Sequence, residues 1–359
     1  MGPSRRESSL TKSIQSGLLR DPDRFKKMPW GRFLAFFTFH RIKLIRHEKH
    51  LFAKLRQEVW KFNEDEYQAS FHTTNGQPPL KTMGDLGYSG SVSTALNSIP
   101  RKNTYFGCQT FFGTLDGHYV IKSLPRRFEY SFFQADLLGP YYEYMRHHPD
   151  SVLVWITDYI LAPYTTLGTL LGCTPAHHVI MENTLCGKDD DPSSQNWETY
   201  DLKPIDYFYP ERDLVPEPLV SQDTLSKLAD TFNEKLHLWR KDYETFWHSL
   251  ESDTKFLQHA NAVDYSLLLV RIPASSKPTV LGRHSPWREG LPSADGKWKY
   301  RAVILDFFWA RHKLHAQAMS GVVQTFNVVG RQGPMSITTT ASEYREKFLA
   351  MVGGMIEVH

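Results

Sequence analysis

The sequence predicts an α+β fold in two lobes. Two β-rich runs, residues 105–114 and 118–124, are joined by Leu115-Asp116-Gly117, and an Asp-Gly pair between such runs is a strong hairpin signal. Residues 222–258 instead repeat apolar side chains at helical spacing. With 359 residues, 41% of them hydrophobic, the chain is long enough to build two substantial cores.

The expected order along the chain is a tail, two lobes and a second tail. The first tail is polar and basic, without a regular apolar pattern, and is predicted to be disordered. The bounds are 1–29 for this tail, 30–180 for the N-terminal lobe, 181–352 for the C-terminal lobe and 353–359 for the closing tail.

Charge is unevenly distributed along the chain. Residues 1–62 hold 15 Lys or Arg against 5 Asp or Glu, whereas the remainder holds 27 against 34. A basic arm on a mildly acidic body suggests an anionic partner, and charge alone does not choose between a membrane surface and a nucleic acid.

The chain is expected to be soluble and cytoplasmic, with peripheral membrane association. No apolar run reaches the roughly 18 residues of a spanning helix, and residues 1–6 lack the apolar core of a secretion signal. The three cysteines, Cys108, Cys173 and Cys186, form no CxxC pair, which favours a reducing compartment over a disulfide framework.

Residues 30–62 combine apolar spacings of three and four with interspersed Lys and Arg, a pattern that predicts amphipathic helices with a basic face. Two interpretations remain open. The apolar face packs on a core, or the basic face also meets anionic lipid headgroups.

The second run of the hairpin carries a lysine near its end, and a helix with an early glutamate follows. Lys122 and Glu129 therefore have the order of an ATP site, in which a lysine held by a glutamate clamps the phosphates. A surface lysine and a helix-start glutamate would have the same pattern. Further on, Asp201 and Lys203 lie two apart, so on a strand they project from one face, as catalytic partners or as a surface ion pair.

Two acids lie at or near buried apolar strands. Asp264 precedes the apolar run 265–272, and Asp306 follows the run 300–305. Burying an ionised Asp is expensive, so such an acid coordinates something or caps a local turn. Two such carboxylates can divide the work of phosphoryl transfer, one facing the nucleophile and one holding Mg²⁺.

In this order, the residues resemble the motifs of the phosphatidylinositol phosphate kinases. The N-terminal matches are the lysine strand Val120-Ile121-Lys122, the helix start Arg127-Phe128-Glu129, the segment from Tyr141 to Leu153 and the hinge Met181-Glu182-Asn183. The C-terminal matches are Asp201-Leu202-Lys203, Val263-Asp264-Tyr265-Ser266-Leu267-Leu268, Ile304-Leu305-Asp306 and the closing segment from Ala341 to Phe348.

The resemblance implies a kinase-like fold with antiparallel sheets in each lobe, ATP and Mg²⁺ between the lobes, and a membrane phosphatidylinositol monophosphate as substrate. Carried over residue by residue, it assigns Lys122 to the ATP phosphates with Glu129 orienting it, Met181 and Glu182 to the adenine, and Asp306 to Mg²⁺. Asp264 faces the inositol hydroxyl, and Lys203 neutralises the transferred phosphate. Arg271, Arg311 and Lys313 are expected at the substrate or membrane surface, and no nucleic-acid partner is expected.

Residues 307–340 fall where the family carries its activation loop. The loop is short here, and Phe307-Phe308-Trp309 followed by basic residues is closer to the phosphatidylinositol 3-phosphate 5-kinase branch. Two departures from the family pattern support an alternative, a catalytically weak kinase-fold scaffold that binds phosphoinositides. Thr104-Tyr105-Phe106-Gly107 stands where the family has a Gly-rich turn, and Pro204 replaces the glycine that follows Asp-Leu-Lys.

Overall fold

The fold is described from a computed structural model, in which residues 5–19, 35–73, 78–83, 111–204, 230–310 and 339–359 are described. The first element, helix α1 (Arg5–Leu19), lies inside the segment predicted as a tail. The prediction of disorder is therefore wrong over these residues. Leu10, Ile14 and Leu18 repeat at a spacing of four and are buried in the core, so the helix has an apolar face that packs.

The N-terminal lobe is built on a six-stranded antiparallel sheet in the order β1-β5-β6-β4-β3-β2. The Asp-Gly hairpin signal is confirmed, because β3 and β4 pair across it. The strands are β1 (Ile45–Arg46), β2 (Leu80–Thr82), β3 (Phe111–Thr114), β4 (Tyr119–Ser123), β5 (Ile156–Leu161) and β6 (His177–Glu182).

Helices cover this sheet. Helix α2 (Lys49–Lys54) continues as a π-helical turn (Leu55–Val59) and buries Phe52 and Leu55, which supports the core-packing interpretation of this segment. Helix α3 (Glu64–Ala69) follows it. The helix predicted after β4 is present as α4 (Arg127–Phe132), a π-helical turn (Phe133–Leu137) and α5 (Leu138–His147). A short helix, α6 (Leu167–Leu170), lies between β5 and β6.

The C-terminal lobe is built on a four-stranded sheet in the order β11-β12-β10-β7, and its paired strands are antiparallel. The strands are β7 (Glu198–Leu202), β10 (Ser266–Pro273), β11 (Leu291–Pro292) and β12 (Trp298–Leu305). A second pairing joins β9 (Ala262–Val263) to β13 (Trp309–Ala310), next to the same strand ends. Helix α8 (Pro286–Glu289) lies before β11.

A helix was predicted over residues 222–258. Among the described residues of this range, which begin at 230, the helix is shorter than predicted. Helix α7 runs from Arg240 to His259, and Leu236, which fits the helical spacing, lies instead in strand β8 (Leu236–Leu238). Helix α9 (Ala341–Gly354) starts at a capping box of Thr340 and Glu343. Strand β14 (Ile356–Val358) then pairs in parallel with β8, so the predicted closing tail is also wrong.

The two sheets are joined through residues 152–154. The amides of Val154 and Ile304 bond to carbonyls of the opposite segment, Val154 N to Ile304 O at 2.9 Å and Ile304 N to Val152 O at 2.7 Å. Because Ile304 lies on β12, this segment connects the N-terminal sheet to the C-terminal one. Among the helices that the structure describes, none is long and apolar enough to span a bilayer.

Candidate active site

Three strands of the C-terminal sheet end at the same place. In the antiparallel register, Ser266 on β10 pairs with Leu305, the last residue of β12, and Leu267 pairs with Leu202, the last residue of β7. The residue after β7 is Lys203, the residue after β12 is Asp306, and Asp264 lies two positions before β10. The sheet register therefore brings together three of the predicted site residues that are far apart in sequence.

Both acids adopt an uncommon backbone conformation. Asp264 has φ 64° and Asp306 has φ 66°, in the left-handed region that few residues other than glycine occupy. Asp tolerates this region better than most residues do, because its short side chain bonds locally. The neighbours Val263, Tyr265, Leu305 and Phe307 are buried, and this packing holds the two turns in place.

Lys203 and Asp264 form an ion pair. Lys203 Nζ lies 3.2 Å from Asp264 Oδ1, and both side chains are partly exposed. Burial by itself lowers the pKa of Lys203, but the nearby carboxylates of Asp264, Asp201 and Asp306 outweigh it and raise the pKa above its usual value. Lys203 therefore carries a positive charge that three carboxylates stabilise. Asp264 contacts it directly, and Asp201 and Asp306 act on it through their charge.

Lys122 reaches this group from the other sheet. Its Nζ lies 2.5 Å from Asp306 Oδ1, and the lysine side chain is almost completely buried. The rings of Phe111 and Phe308 flank the ammonium, with centroids 5.7 and 5.4 Å from Nζ. An ammonium that is removed from water is attracted electrostatically to each aromatic face, so these rings help to hold the lysine at the interface between the sheets.

Glu129 lies near this lysine and accepts hydrogen bonds from two other residues. Its Oε1 accepts a hydrogen bond from Trp309 Nε1 at 3.2 Å, and its Oε2 accepts one from the amide of Arg126 at 3.1 Å. Burial raises the pKa of Glu129, and the positive charges of Arg126 and Lys122 oppose the rise. Glu129 thus influences Lys122 through its charge, while Asp306 makes the ion pair.

The two residues predicted along the adenine lie on opposite faces of the sheet. Met181 pairs with Val120 across β4 and β6, so it shares the face of Lys122, two residues further along β4. Glu182 pairs with Tyr119 and projects from the other face. There its carboxylate accepts from Arg288 at 2.8 Å and from the amide of Trp155 at 2.9 Å. The carboxylate of Glu182 is therefore held in a buried ion pair with Arg288.

Arg271 is placed away from these groups. It lies seven residues from Asp264 along an extended strand, which corresponds to roughly 20 Å. Its guanidinium is buried, forms ion pairs with Glu198 and Glu234, and stacks on Trp298 at 4.3 Å. Arg271 thus fixes the far end of the C-terminal sheet, and this placement does not support the substrate role predicted for it.

Some predicted features fall outside the described residues. These are Arg311, Lys313, most of the predicted activation loop and the turn Thr104-Tyr105-Phe106-Gly107. Pro204 is described, and it lies directly after Lys203 as a buried residue.

The supporting roles of three residues were not predicted from the sequence. Trp309 ties Glu129 to the segment after Asp306, Arg288 bonds Glu182 and the carbonyls of Ser151 and Leu153, and the hydroxyl of Tyr344 donates to the carbonyl of Tyr265. Trp309 follows closely on Asp306 in sequence, which is a usable signal. Arg288 lies in a Pro, Ser and Gly-rich segment, and nothing in that segment indicates its role.

Comparison with known proteins gives one family match. The model of the family described as Phosphatidylinositol-4-phosphate 5-Kinase matches residues 106–291, just over half of the chain. The matched region includes Lys122, Glu129, Lys203 and Asp264, and it ends before Asp306. A search of curated proteins finds no match. The family match and the α+β architecture agree, and the chain belongs to the phosphatidylinositol-4-phosphate 5-kinase family.

Proposed function

We propose that this protein is a phosphatidylinositol phosphate kinase, which transfers the γ-phosphate of ATP to an inositol hydroxyl of a membrane phosphatidylinositol monophosphate. The observation that carries the proposal is the meeting of Lys122 from one sheet with Asp306, Asp264 and Lys203 at the ends of three strands of the other. Two cations and two carboxylates at one interface are the groups that phosphoryl transfer requires.

Asp264 is the candidate for the acceptor hydroxyl. Its side chain is partly exposed at the sheet end, so a substrate hydroxyl can reach it, and a carboxylate there can accept the hydroxyl proton. Lys203, 3.2 Å away, stabilises the negative charge beside it. As the phosphoryl group moves, the same ammonium can neutralise charge on its oxygens.

Lys122 and Asp306 are the candidates for the phosphates of ATP and for Mg²⁺. The residues fit such an ion, because Mg²⁺ prefers carboxylate oxygens and Asp306 presents a partly exposed carboxylate that is near enough to Lys203 to help raise its pKa. When bound, Mg²⁺ neutralises the phosphate oxygens and supplies electrostatic stabilisation. Asp306 would hold the ion, and Lys122, which now pairs with Asp306, would turn to the phosphates. The face that Lys122 shares with Met181 would receive the adenine.

A membrane substrate is supported by an exposed apolar patch, which consists of Phe37, Phe39, Leu170 and Leu171. Two chain segments form it and are fixed together. The amide of Gly168 donates to Thr38 O at 3.1 Å, the hydroxyl of Thr174 donates to Phe39 O at 2.7 Å, and a Cβ on Gly168 would lie 1.7 Å from Phe39 O.

The chain adjoining this patch is basic. Residues 40–50 hold Arg41, Lys43, Arg46 and Lys49 against Glu48 as the one acid. Arg46 pairs with the buried Asp158, so Arg41, Lys43 and Lys49 are the cations offered to headgroups. Apolar side chains that enter the acyl boundary, beside cations that meet the headgroups, match an anionic bilayer. We therefore assign the patch to the membrane surface that presents the lipid.

The finer assignment is to the phosphatidylinositol 3-phosphate 5-kinase branch, with the 5-hydroxyl as acceptor. It rests on the short segment after Asp306 and on Phe307-Phe308-Trp309. In the structure, Phe308 flanks Lys122 and Trp309 bonds Glu129, so these aromatic residues belong to the site.

The test is a radiolabelled ATP assay on liposomes that contain each phosphatidylinositol monophosphate in turn. Bisphosphorylated product is expected from the wild-type protein, and Asp264→Asn is expected to lower its rate of formation at least about 100-fold. Glu143→Gln, at an exposed position on α5, is the matched control and should leave the rate unchanged. Phosphoinositide-dependent liposome binding without turnover on any lipid would refute the kinase proposal and establish the scaffold alternative.

A further inference from the structure

A cluster of two histidines and a glutamate lies on the parallel pair β8–β14, apart from the candidate active site. His237 on β8 pairs in register with Glu357 on β14. His359 follows β14, and its backbone is fixed twice, with its amide donating to Leu238 O at 2.8 Å and its carbonyl accepting from Arg240 N at 3.0 Å. The backbone positions of all three residues are therefore set by strand pairing, although they come from segments more than 100 residues apart.

Their side chains converge on one point. His237 Nδ1 lies 3.0 Å from His359 Nε2. Glu357 Oε2 lies 3.8 Å from His237 Nδ1, and Glu357 Oε1 lies 3.7 Å from His359 Nε2. One atom from each residue can be chosen so that all three lie within 4.8 Å of one another. The side chain of His237 is partly exposed and those of Glu357 and His359 are exposed, so solvent reaches the cluster.

These separations suit a first-row transition metal. Tetrahedral Zn²⁺ with bonds of about 2.0–2.1 Å places its ligand atoms about 3.3–3.4 Å apart. The distance of 3.0 Å between the two nitrogens is shorter than that value. The distances of 3.7 and 3.8 Å from each histidine to its nearest carboxylate oxygen, a different oxygen for each, are longer. Imidazole nitrogen and carboxylate oxygen are also the donors that Zn²⁺ accepts, whereas Mg²⁺ prefers oxygen alone.

We propose that His237, Glu357 and His359 form a Zn²⁺ site, with water as the fourth ligand on the solvent side. The ion would replace the hydrogen shared by the two imidazoles and cross-link β8 to β14. Strand β8 leads into helix α7, and β14 follows helix α9 after one residue. A bound Zn²⁺ would therefore fasten the ends of two helices of the C-terminal lobe to each other.

The position of α9 connects this site to the candidate active site through packing. Tyr344, on α9, donates its hydroxyl to the carbonyl of Tyr265, the neighbour of Asp264. Zinc would stabilise the support of Asp264 from a distance, and it would take no part in the chemistry. The proposal is thus independent of whether the protein is an active kinase.

The test uses the full chain without a polyhistidine tag, stripped with a chelator. Zn²⁺ is then titrated against a chromophoric competitor, and one equivalent of bound ion is expected. Saturation should raise Tm by roughly 3–5 °C, since an ion that binds only the folded state stabilises it. Millimolar Mg²⁺ should displace none of the Zn²⁺. Co²⁺ should give the visible absorption of a tetrahedral site.

Two variants and a control make the result specific. His237→Gln and His359→Gln should each weaken Zn²⁺ binding by at least about 10-fold, because each removes one of three protein ligands. Their Tm in chelator should equal that of the wild type, which shows that they fold. His248→Gln, at an exposed histidine on α7, should leave the affinity unchanged. Absence of stoichiometric binding, or binding that survives both cluster variants, overturns the proposal.

Discussion

The ammonium of Lys122 lies 2.5 Å from the carboxylate of Asp306, so a strand of the first sheet is linked by charge to a strand end of the second. The two residues are 184 positions apart in sequence. Lys122 is proposed to bind the ATP phosphates, and Asp306 is proposed to bind Mg²⁺. In this structure each residue binds the other in place of its proposed ligand.

Removing either member of this pair should abolish turnover. Lys122→Met and Asp306→Asn are each expected to lower kcat at least about 100-fold, because one loses the phosphate cation and the other the metal carboxylate. Asp306→Asn should also raise the Mg²⁺ concentration needed for half-maximal rate. The measurement is the lipid kinase assay over a range of Mg²⁺. A full rate in either variant would contradict the assignment.

Asp264 and Lys203 should act on the same step. Asp264→Asn is expected to lower kcat by about 10²–10⁴-fold, the range for a lost general base. Lys203→Met should also lower kcat, and the double variant should be no worse than Asp264→Asn alone, since the two side chains act together. Steady-state kinetics on the four proteins test this. Strictly multiplicative losses would show that the two side chains act separately.

The buried pair Glu182–Arg288 should contribute to stability. Arg288 donates to Glu182, Ser151 O and Leu153 O, and its guanidinium lies 4.0 Å from the ring centre of Trp155. Arg288→Met leaves a buried carboxylate without this partner and should cost about 3–5 kcal/mol of unfolding free energy. Urea denaturation measures the loss. The double variant Glu182→Gln, Arg288→Met should recover part of it, and no recovery would argue against charge burial as the cause.

His178 should make stability depend on pH. Burial lowers the pKa of His178 to about 3, while the carbonyl of Pro175 and the hydroxyl of Ser123 bond its ring nitrogens. The unfolded chain, where the pKa is 6.5, binds the proton more readily, so the contribution is present above pH 6.5 and is lost as pH falls towards 3.

Between pH 7.5 and pH 5, this one group should remove about 2 kcal/mol of unfolding free energy, at 1.36 kcal/mol for each pKa unit. His178→Gln should therefore show a shallower decrease than the wild type over that interval. Denaturant titrations at both pH values give the comparison. Equal slopes in the two proteins would show that His178 does not carry the effect.

The apolar patch should control membrane binding separately from chemistry. Phe37→Ser with Leu170→Ser is expected to weaken binding to anionic liposomes at least about 10-fold, since two large side chains leave the acyl boundary. Turnover of a water-soluble short-chain lipid should be unchanged. Leu115→Ser, another exposed leucine, is the control and should bind as the wild type does. Unchanged liposome binding in the double variant would remove the patch from the proposal.

Much of the site can be predicted from the sequence because charged side chains are uncommon within or next to apolar strands. Lys122, Asp264 and Asp306 stand out for that reason, and the structure places them close to one another. Glu182 and Arg271 are also charged residues on buried strands. Their distance from the site depends on the face that each side chain occupies and on its position along the strand, and both are set by pairing with distant strands.

Strand β8 and helix α1 were harder to predict for a similar reason, because each depends on contacts with residues far away in sequence. Strand β8 is read as part of a helix from its apolar spacing, because its partner β14 lies over 100 residues away. Helix α1 carries few apolar residues, and only its packing against the lobe shows that they belong to the core.

The left-handed backbone at Asp264 and Asp306 determines which replacements give interpretable results. Asparagine tolerates that conformation at least as well as aspartate does, so the substitution removes the charge and leaves the chain path intact. Alanine and valine are disfavoured there, and they would add backbone strain to the loss of a carboxylate. Alanine scanning of this protein would therefore overstate the chemical importance of both residues, and isosteric amides are the appropriate probes.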